Sequence, residues 1–297
     1  MKFLMAICKK HSGFISLIFI SYLLSSCTSN PFFSDEKIQT VKLKGQIELD
    51  DKTKPDGVYV WLESYDIGTF TDSDGKYSIT LPSPEASGLG NDFSGDVSIY
   101  FYLANYGLDS SSAVIANGKL LEDQDNIDND GNFIEKITLS KFVDIETFVE
   151  PEVVDFNKTN TFRVTIKLMA LHETRDVKSL REIITPGGGF LRTGLIIESV
   201  EDSGENKIFI DLPESFLWGD MLFADQEQLL TIYVSNNQNI FSEGKYRVIP
   251  YLLPVQKGVP DGLIISLSPH VEEFCEDYLK LPIKRIEGSF EVLAAGK

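Results

Sequence analysis

Two stretches of closely spaced aspartates are the first candidates for chemistry. TDSDGKYSITLP runs from residue 71 to 82, and IDNDGNFIEKITL from 127 to 139. Ca²⁺ takes six to eight oxygen ligands, and an EF-type loop places Asp or Asn at positions one, three and five, Gly at six and Glu at twelve. With Gly75 at position six, Phe70 falls at one and Leu81 at twelve, and neither offers a side-chain oxygen. With Gly131 at six, Asn126, Asp128 and Asp130 fill one, three and five, but Ile137 stands at twelve. What remains is a partial calcium set, Asp123, Asp125, Asp128 and Asp130. The competing expectation is that each Asp-Gly pair supplies the positive φ of a tight hairpin. Tyr77, Ile79 and Leu81 after the first pair match Phe133, Ile137 and Leu139 after the second, which fits turn plus strand in both copies.

Catalytic constellations are sparse. HETRD at 172–176 is not the HExxH of a helical zinc site, no GxSxG elbow occurs, and the glycines at 187–189 lack the Lys-Ser/Thr of a phosphate loop. His270 and Cys275 stand five apart on an expected helix and so do not share a face. Val271, Cys275 and Leu279 recur every fourth position, which makes Cys275 a core thiol. Aromatic residues are the stronger feature. Val58, Val60 and Leu62 alternate with Tyr59 and Trp61, while Val97, Ile99, Phe101 and Leu103 alternate with Tyr100 and Tyr102. If the aliphatic set faces a core, Tyr59, Trp61, Tyr100 and Tyr102 face outward. There they would form a platform for a sugar ring or a protein partner, or pack against the second domain.

The elements holding these residues read as mainly β. From Val41 onward period-two strands are separated by Gly, Asp and Pro turns, which is the pattern of a β-sandwich. KGQIELDD, GVYVWLES and TFTDSDGKYSITLP together resemble the carboxypeptidase regulatory-like domain, a transthyretin-like β-sandwich. The pattern is carried by Gly45, the strand at 57–62 and the hairpin at 71–77. This resemblance covers roughly 40–148 and implies a non-catalytic accessory or binding sandwich. The 83–96 connector and the acidic 122–131 insert depart from it. A second β-rich domain is expected over 151–297, where GKYRVIPYL resembles the closing hairpin of Ig-like domains. RDVKSLREII (175–184) and SPHVEEFCEDYLK (268–280) are expected helices, and LIISLS (263–268) an expected strand.

The N-terminus supplies an address. Lys2, Lys9 and Lys10 precede an apolar run from Phe14 to Leu24, too short to span a bilayer but of secretory length. LSSC at 24–27 resembles the bacterial lipobox. That resemblance implies cleavage after residue 26 and a lipidated Cys27 on a polar tether at 27–39, with outer-membrane localisation. The net charge of −18 and a pI near 4.6 disfavour nucleic-acid partners, which need basic patches. With Cys8 in the signal peptide and Cys27 lipidated, Cys275 is left without an intrachain disulfide partner. The expected function is a lipid-anchored, non-catalytic envelope module binding a glycan or protein. The alternatives are a structural partner in an envelope complex and a carboxylate-dependent hydrolase in the second domain. No cofactor beyond the partial calcium set is expected.

Overall fold

The computed structural model describes residues 42–82, 94–116, 119–121, 127–128, 130–155, 158–171, 175–184, 189–191, 194–201, 207–210, 216–223, 227–236 and 240–293. The lipobox, the tether, Asp123, Asp125 and His172 lie outside them. Among the described residues no helix is long and apolar enough to cross a membrane.

The fold is mainly β, as the alternation predicts. Eight strands build the first sandwich: β1 (Lys42–Leu49), β2 (Tyr59–Leu62), β3 (Ile67–Phe70), β4 (Lys76–Thr80), β5 (Gly95–Tyr102), β6 (Asp109–Ala116), β7 (Lys119–Leu120) and β8 (Ile137–Leu139). One sheet has the order β4-β1-β8, the other β3-β2-β5-β6-β7. Between them lies a core in which Val58, Val60 and Leu62 meet Leu43, Ile47, Ile79 and Phe101. Gly45 and Tyr77, the two positions that define the first-strand and hairpin pattern, are cross-strand partners. A Cβ on Gly45 would fall 2.5 Å from the Tyr77 hydroxyl, so the ring requires glycine beneath it.

The second half comprises β9 (Val143–Glu150), β10 (Val153–Asp155), β11 (Thr161–Ala170), β12 (Arg175–Ile184), β13 (Gly189–Leu191), β14 (Leu195–Ser199), β15 (Lys207–Ile210), β16 (Phe216–Phe223), β17 (Gln228–Ser235), β18 (Gly244–Pro250), β19 (Leu253–Pro254) and β20 (Gly288–Leu293). Sheets β17-β11-β9 and β10-β20-β18-β14-β15 enclose a core rich in Phe162, Phe241, Tyr246 and Phe290. β12, β13 and β16 form a further sheet, with β19 on β12. β9 pairs with β11 over eight residues, and Val143, Ile145 and Val149 join this second core. The chain therefore passes from one core to the other just before β9, earlier than the boundary at 150 read from the sequence.

Three local expectations change. RDVKSLREII is strand β12, paired with β16 from Arg175 to Glu182. Its apolar spacing, Val177, Leu180 and Ile184, fits the helical period, and eight residues of sheet pairing override it. LIISLS belongs to a helix, α1 (Asp261–Leu267), whose Leu263 is fully buried. SPHVEEFCEDYLK is a series of turns ending in a 3-10 turn at Glu276–Lys280. A continuous helix is displaced there because Tyr278 is drawn wholly into the interior. Its hydroxyl accepts from Leu252 N (3.1 Å) and lies 3.0 Å from the carbonyls of Pro250 and Leu252.

The two aspartate stretches form the same turn. Asp72 Oδ1 accepts the N–H groups of Asp74 and Lys76, both at 2.9 Å. Asp128 Oδ1 accepts those of Asp130 (2.9 Å) and Asn132 (2.8 Å). Gly75 and Gly131 have φ of 78° and 77°, and both dock on β1, their carbonyls accepting from Ile47 N and Lys44 N at 2.9 Å. An added Cβ would collide with the backbone carbonyl of Ile47 at Gly75 and of Lys42 at Gly131. Gly75→Ala and Gly131→Ala are each expected to lower stability by about 1–3 kcal/mol, from the unfavourable φ plus the clash. Urea unfolding checks this, and an unchanged midpoint in both variants would contradict the account.

Candidate functional site

The aromatic quartet starts as an accident of strand parity. Because β2 turns Val58, Val60 and Leu62 into the first core, Tyr59 and Trp61 must project from the opposite face. β5 does the same with Tyr100 and Tyr102, and pairing places Tyr59 opposite Tyr102 and Trp61 opposite Tyr100. The four rings do share one sheet face. They do not face solvent: Tyr59, Trp61 and Tyr102 are all 5% exposed or less. They belong to a third core, closed from the other side by Ile249, Tyr251, Leu263, Tyr278 and Leu281, with Tyr100 packed against it. Of the two outcomes expected for Tyr59, Trp61, Tyr100 and Tyr102, the rings take the second, packing against the second half of the chain, and do not form an external platform. The second half of the chain covers these rings and buries the area a ligand would need.

The seam is specific. Trp61 lies over Gly262 of α1, where a Cβ would sit 3.0 Å from the ring, and its Nε1 donates to Asp66 (3.1 Å). The Tyr59 hydroxyl pairs with Ser266 Oγ at 3.0 Å; burial, with the nearby Asp66 charge, raises its pKa. Polar clamps flank the rings. Buried Asn105 donates from Nδ2 to the carbonyls of Val143 (3.0 Å) and Lys284 (2.7 Å), and its Oδ1 accepts Lys284 N (3.0 Å). Ala104 N donates to Pro282 O (2.7 Å), and Gln256 Nε2 donates to the carbonyls of Leu103 and Ala104.

A second clamp holds the passage between the cores. Lys141 pairs with Asp51 (3.0 Å) and Asp144 (2.5 Å) and lies over the Tyr106 ring. Tyr106 also donates from its hydroxyl to Asp51 (2.8 Å). Partial burial would raise the Asp51 carboxyl, but hydrogen bonds from Tyr106, Lys141 and Thr53 outweigh it and hold the pKa at about 2. The same exchange pushes the Tyr106 phenol up to about 12, mainly through burial. Asp51 is thus ionised more readily folded than unfolded. Its contribution is complete above the unfolded carboxyl value and is lost as pH falls through about 2. Asp51→Asn is expected to cost about 1–2 kcal/mol at pH 7. The difference from the native chain should shrink between about pH 4 and 2, as thermal melts across that range would show.

The calcium expectation fares differently at its two ends. Asp128 is engaged by the turn, its two oxygens also receiving Asn132 Nδ2 (3.1 and 2.9 Å). Those bonds, the side-chain amide first, lower its pKa. Asp130 is exposed, and Asp123 and Asp125 lie outside the described residues. Among the described residues no three His, Cys, Asp or Glu side chains converge closely enough to hold a metal ion. Cys275 is half-buried and its thiol donates to the carbonyl of His270 (3.5 Å) rather than to the ring. The His270 ring instead pairs with Glu273 at 3.0 Å, which raises its pKa.

Among the openings beside the seam is a cleft of about 650 Å³ between the two sandwiches. Phe70 lines it, half-exposed and 5.0 Å from the Tyr59 ring. Opposite stand the Lys284–Asp56 pair (2.7 Å) and Glu287, which Arg285 and Arg247 each approach to 3.4 Å. Sequence reading missed this cleft, because Phe70 and Lys284 lie in different halves of the chain. The only local signal was Phe70 itself, directly opposite Tyr59 in the β2–β3 hairpin.

These features define a class by architecture, two β-sandwiches sealed face to face by a buried aromatic seam. No family model and no curated protein sequence matches the chain. Among solved structures, an alkylpurine DNA glycosylase of Pseudomonas fluorescens bound to abasic-site DNA matches over 52% of this chain, at 13% identity and a TM-score of 0.27. The TIE protein of Bacillus anthracis matches over 87%, at 12% identity and a TM-score of 0.22. The matched regions span about a third of either protein's length, 31% and 32%.

Proposed function

We propose that this chain is a lipid-anchored protein of the bacterial cell envelope, held by Cys27, and that it acts as a non-catalytic binding module. The carrying observation is LSSC at 24–27 behind a basic segment and a short apolar run. A single acyl chain binds a membrane only marginally, and stable anchoring needs more than one. Lipidation of the kind the lipobox implies meets that need without a spanning helix. The first sandwich is proposed to be of the carboxypeptidase regulatory-like type, supported by the Gly45–Tyr77 pair.

With the aromatic quartet sealed inside, the ligand surface on this reading is the cleft at Phe70. One half-exposed ring beside fixed ion pairs suits a sugar or a protein loop carrying both apolar and polar groups. The reading as a structural partner in an envelope complex draws on a different observation, the joining of both sandwiches into one body by a third core. Metabolic labelling with a fatty-acid analogue tests the anchor. Label should enter the native chain and be lost in Cys27→Ser, and label persisting in that variant would sink the proposal. For the ligand, Phe70→Ala should abolish binding to whichever oligosaccharide or envelope protein the native chain retains, while leaving the melt within about 1 kcal/mol of native.

A further inference from the structure

β17 is the outermost strand of its sheet, and among the described residues it pairs only with β11. Its sequence, QLLTIYVS, contains no charge, proline or glycine. Edge strands in monomeric proteins are normally blunted by lysine, proline, bulges or covering loops, because a bare edge templates pairing with another chain. β17 carries none of these residues, and among the described residues no strand pairs with its free side. Leu229 and Tyr233 project from the outer face with 60% and 69% exposure. Leu230, facing inward, is only partly covered by the second core.

The pattern of the strand indicates its occupant. We infer that β17 pairs antiparallel with β17 of a second copy of this chain, about a two-fold axis at Thr231, joining two three-stranded sheets into one of six strands. In that register Thr231 faces Thr231, and Leu229 of each copy faces Tyr233 of the other. On the inner face each Leu230 meets Ile232. Cross-strand aromatic–aliphatic pairs of this kind stabilise sheets, and a two-fold interface requires such self-complementarity. Moving the axis to Ile232 leaves Leu229 opposite Ser235, and moving it to Leu230 sets Tyr233 against Glu227. Only the axis at Thr231 matches both exposed residues.

Charge points the same way. Two copies of a chain of net charge −18 repel wherever acids meet, and β17 is an uncharged strip. Among the described residues, the acids nearest it on this face stand beside cations. Lys167 reaches Glu227 (3.2 Å) and Glu146 (3.5 Å), and Arg163 pairs with Glu150.

The test uses the full chain, extracted in non-ionic detergent, in a Cys275→Ser background. Under mild oxidation Thr231→Cys should form a disulfide-linked dimer at least tenfold faster than Asp74→Cys, an exposed control on the first sandwich. Leu229→Cys mixed with Tyr233→Cys should cross-link, while neither should cross-link with itself. Thr231→Lys, which sets two like charges opposite each other, should shift sedimentation from dimer to monomer while the chain keeps its native strand content and a cooperative melt. A native chain that sediments as a monomer would overturn the inference. So would equal cross-linking rates at positions 231 and 74, or a Thr231→Cys product containing a different protein.

Discussion

Asn105→Ala is expected to destabilise the protein by about 3–5 kcal/mol. The residue is wholly buried, and one amide serves three backbone groups at 2.7–3.0 Å, two of them on Lys284. Removing it strands the carbonyls of Val143 and Lys284 and the Lys284 N–H. Each unsatisfied buried group costs roughly 1–3 kcal/mol, and any water entering the gap recovers part. Asn105→Asp should be nearly as harmful, because it exchanges two donors for an unpaired buried acceptor. Chemical unfolding provides the measurement, and a loss below 1 kcal/mol would mean that the clamp is not what holds these segments together.

Trp61→Ala should cost a comparable amount, about 3–5 kcal/mol, as expected for a large aromatic removed from a packed interior. The ring is 3% exposed, seated over Gly262 and 5.9 Å from Tyr100. A surface platform would behave otherwise: its loss would abolish binding and leave stability almost untouched. Stability and binding together therefore separate the two readings of this residue. Calorimetry adds a sharper sign. With the seam intact the two halves should melt in one transition. With Trp61→Ala the coupling weakens and two transitions are expected, since each half keeps its own core.

The alternation of β2 and β5 made much of this legible beforehand. Period two told which side of Val58–Leu62 meets the first core and which side bears Tyr59 and Trp61. That the second domain could cover those rings was readable, but not which residues would do so, because Ile249, Leu263 and Tyr278 lie far along the chain and no local pattern records such a meeting. The aspartate turns were readable as turns from the position of each glycine. That both would dock on the same strand was not, since it depends on β4 and the 131–133 segment bonding the two edges of β1. The helix expected at 268–280 failed for a related reason. A capping serine and acids in the first turn favour a helix locally, but Ser268 instead donates to Asp277 (2.6 Å) and burial of Tyr278 outweighs the local preference. At 175–184 the apolar residues follow the helical period, and the pairing with β16, which no local pattern records, overrides it.

The Asn105–Lys284 clamp also bears on the order of events during folding. The two residues stand 179 apart in sequence, and β20, which follows Lys284, must insert between β10 and β18 to finish its sheet. Contacts of such long sequence separation form late, because their loop-closure entropy must be met first. During synthesis the first sandwich can assemble early, but its aromatic face has no cover until residues 249–281 have emerged. A chain threaded through a membrane from its N-terminus would therefore stay open at the seam throughout passage. It would close its seam only once residues 249–284 are across.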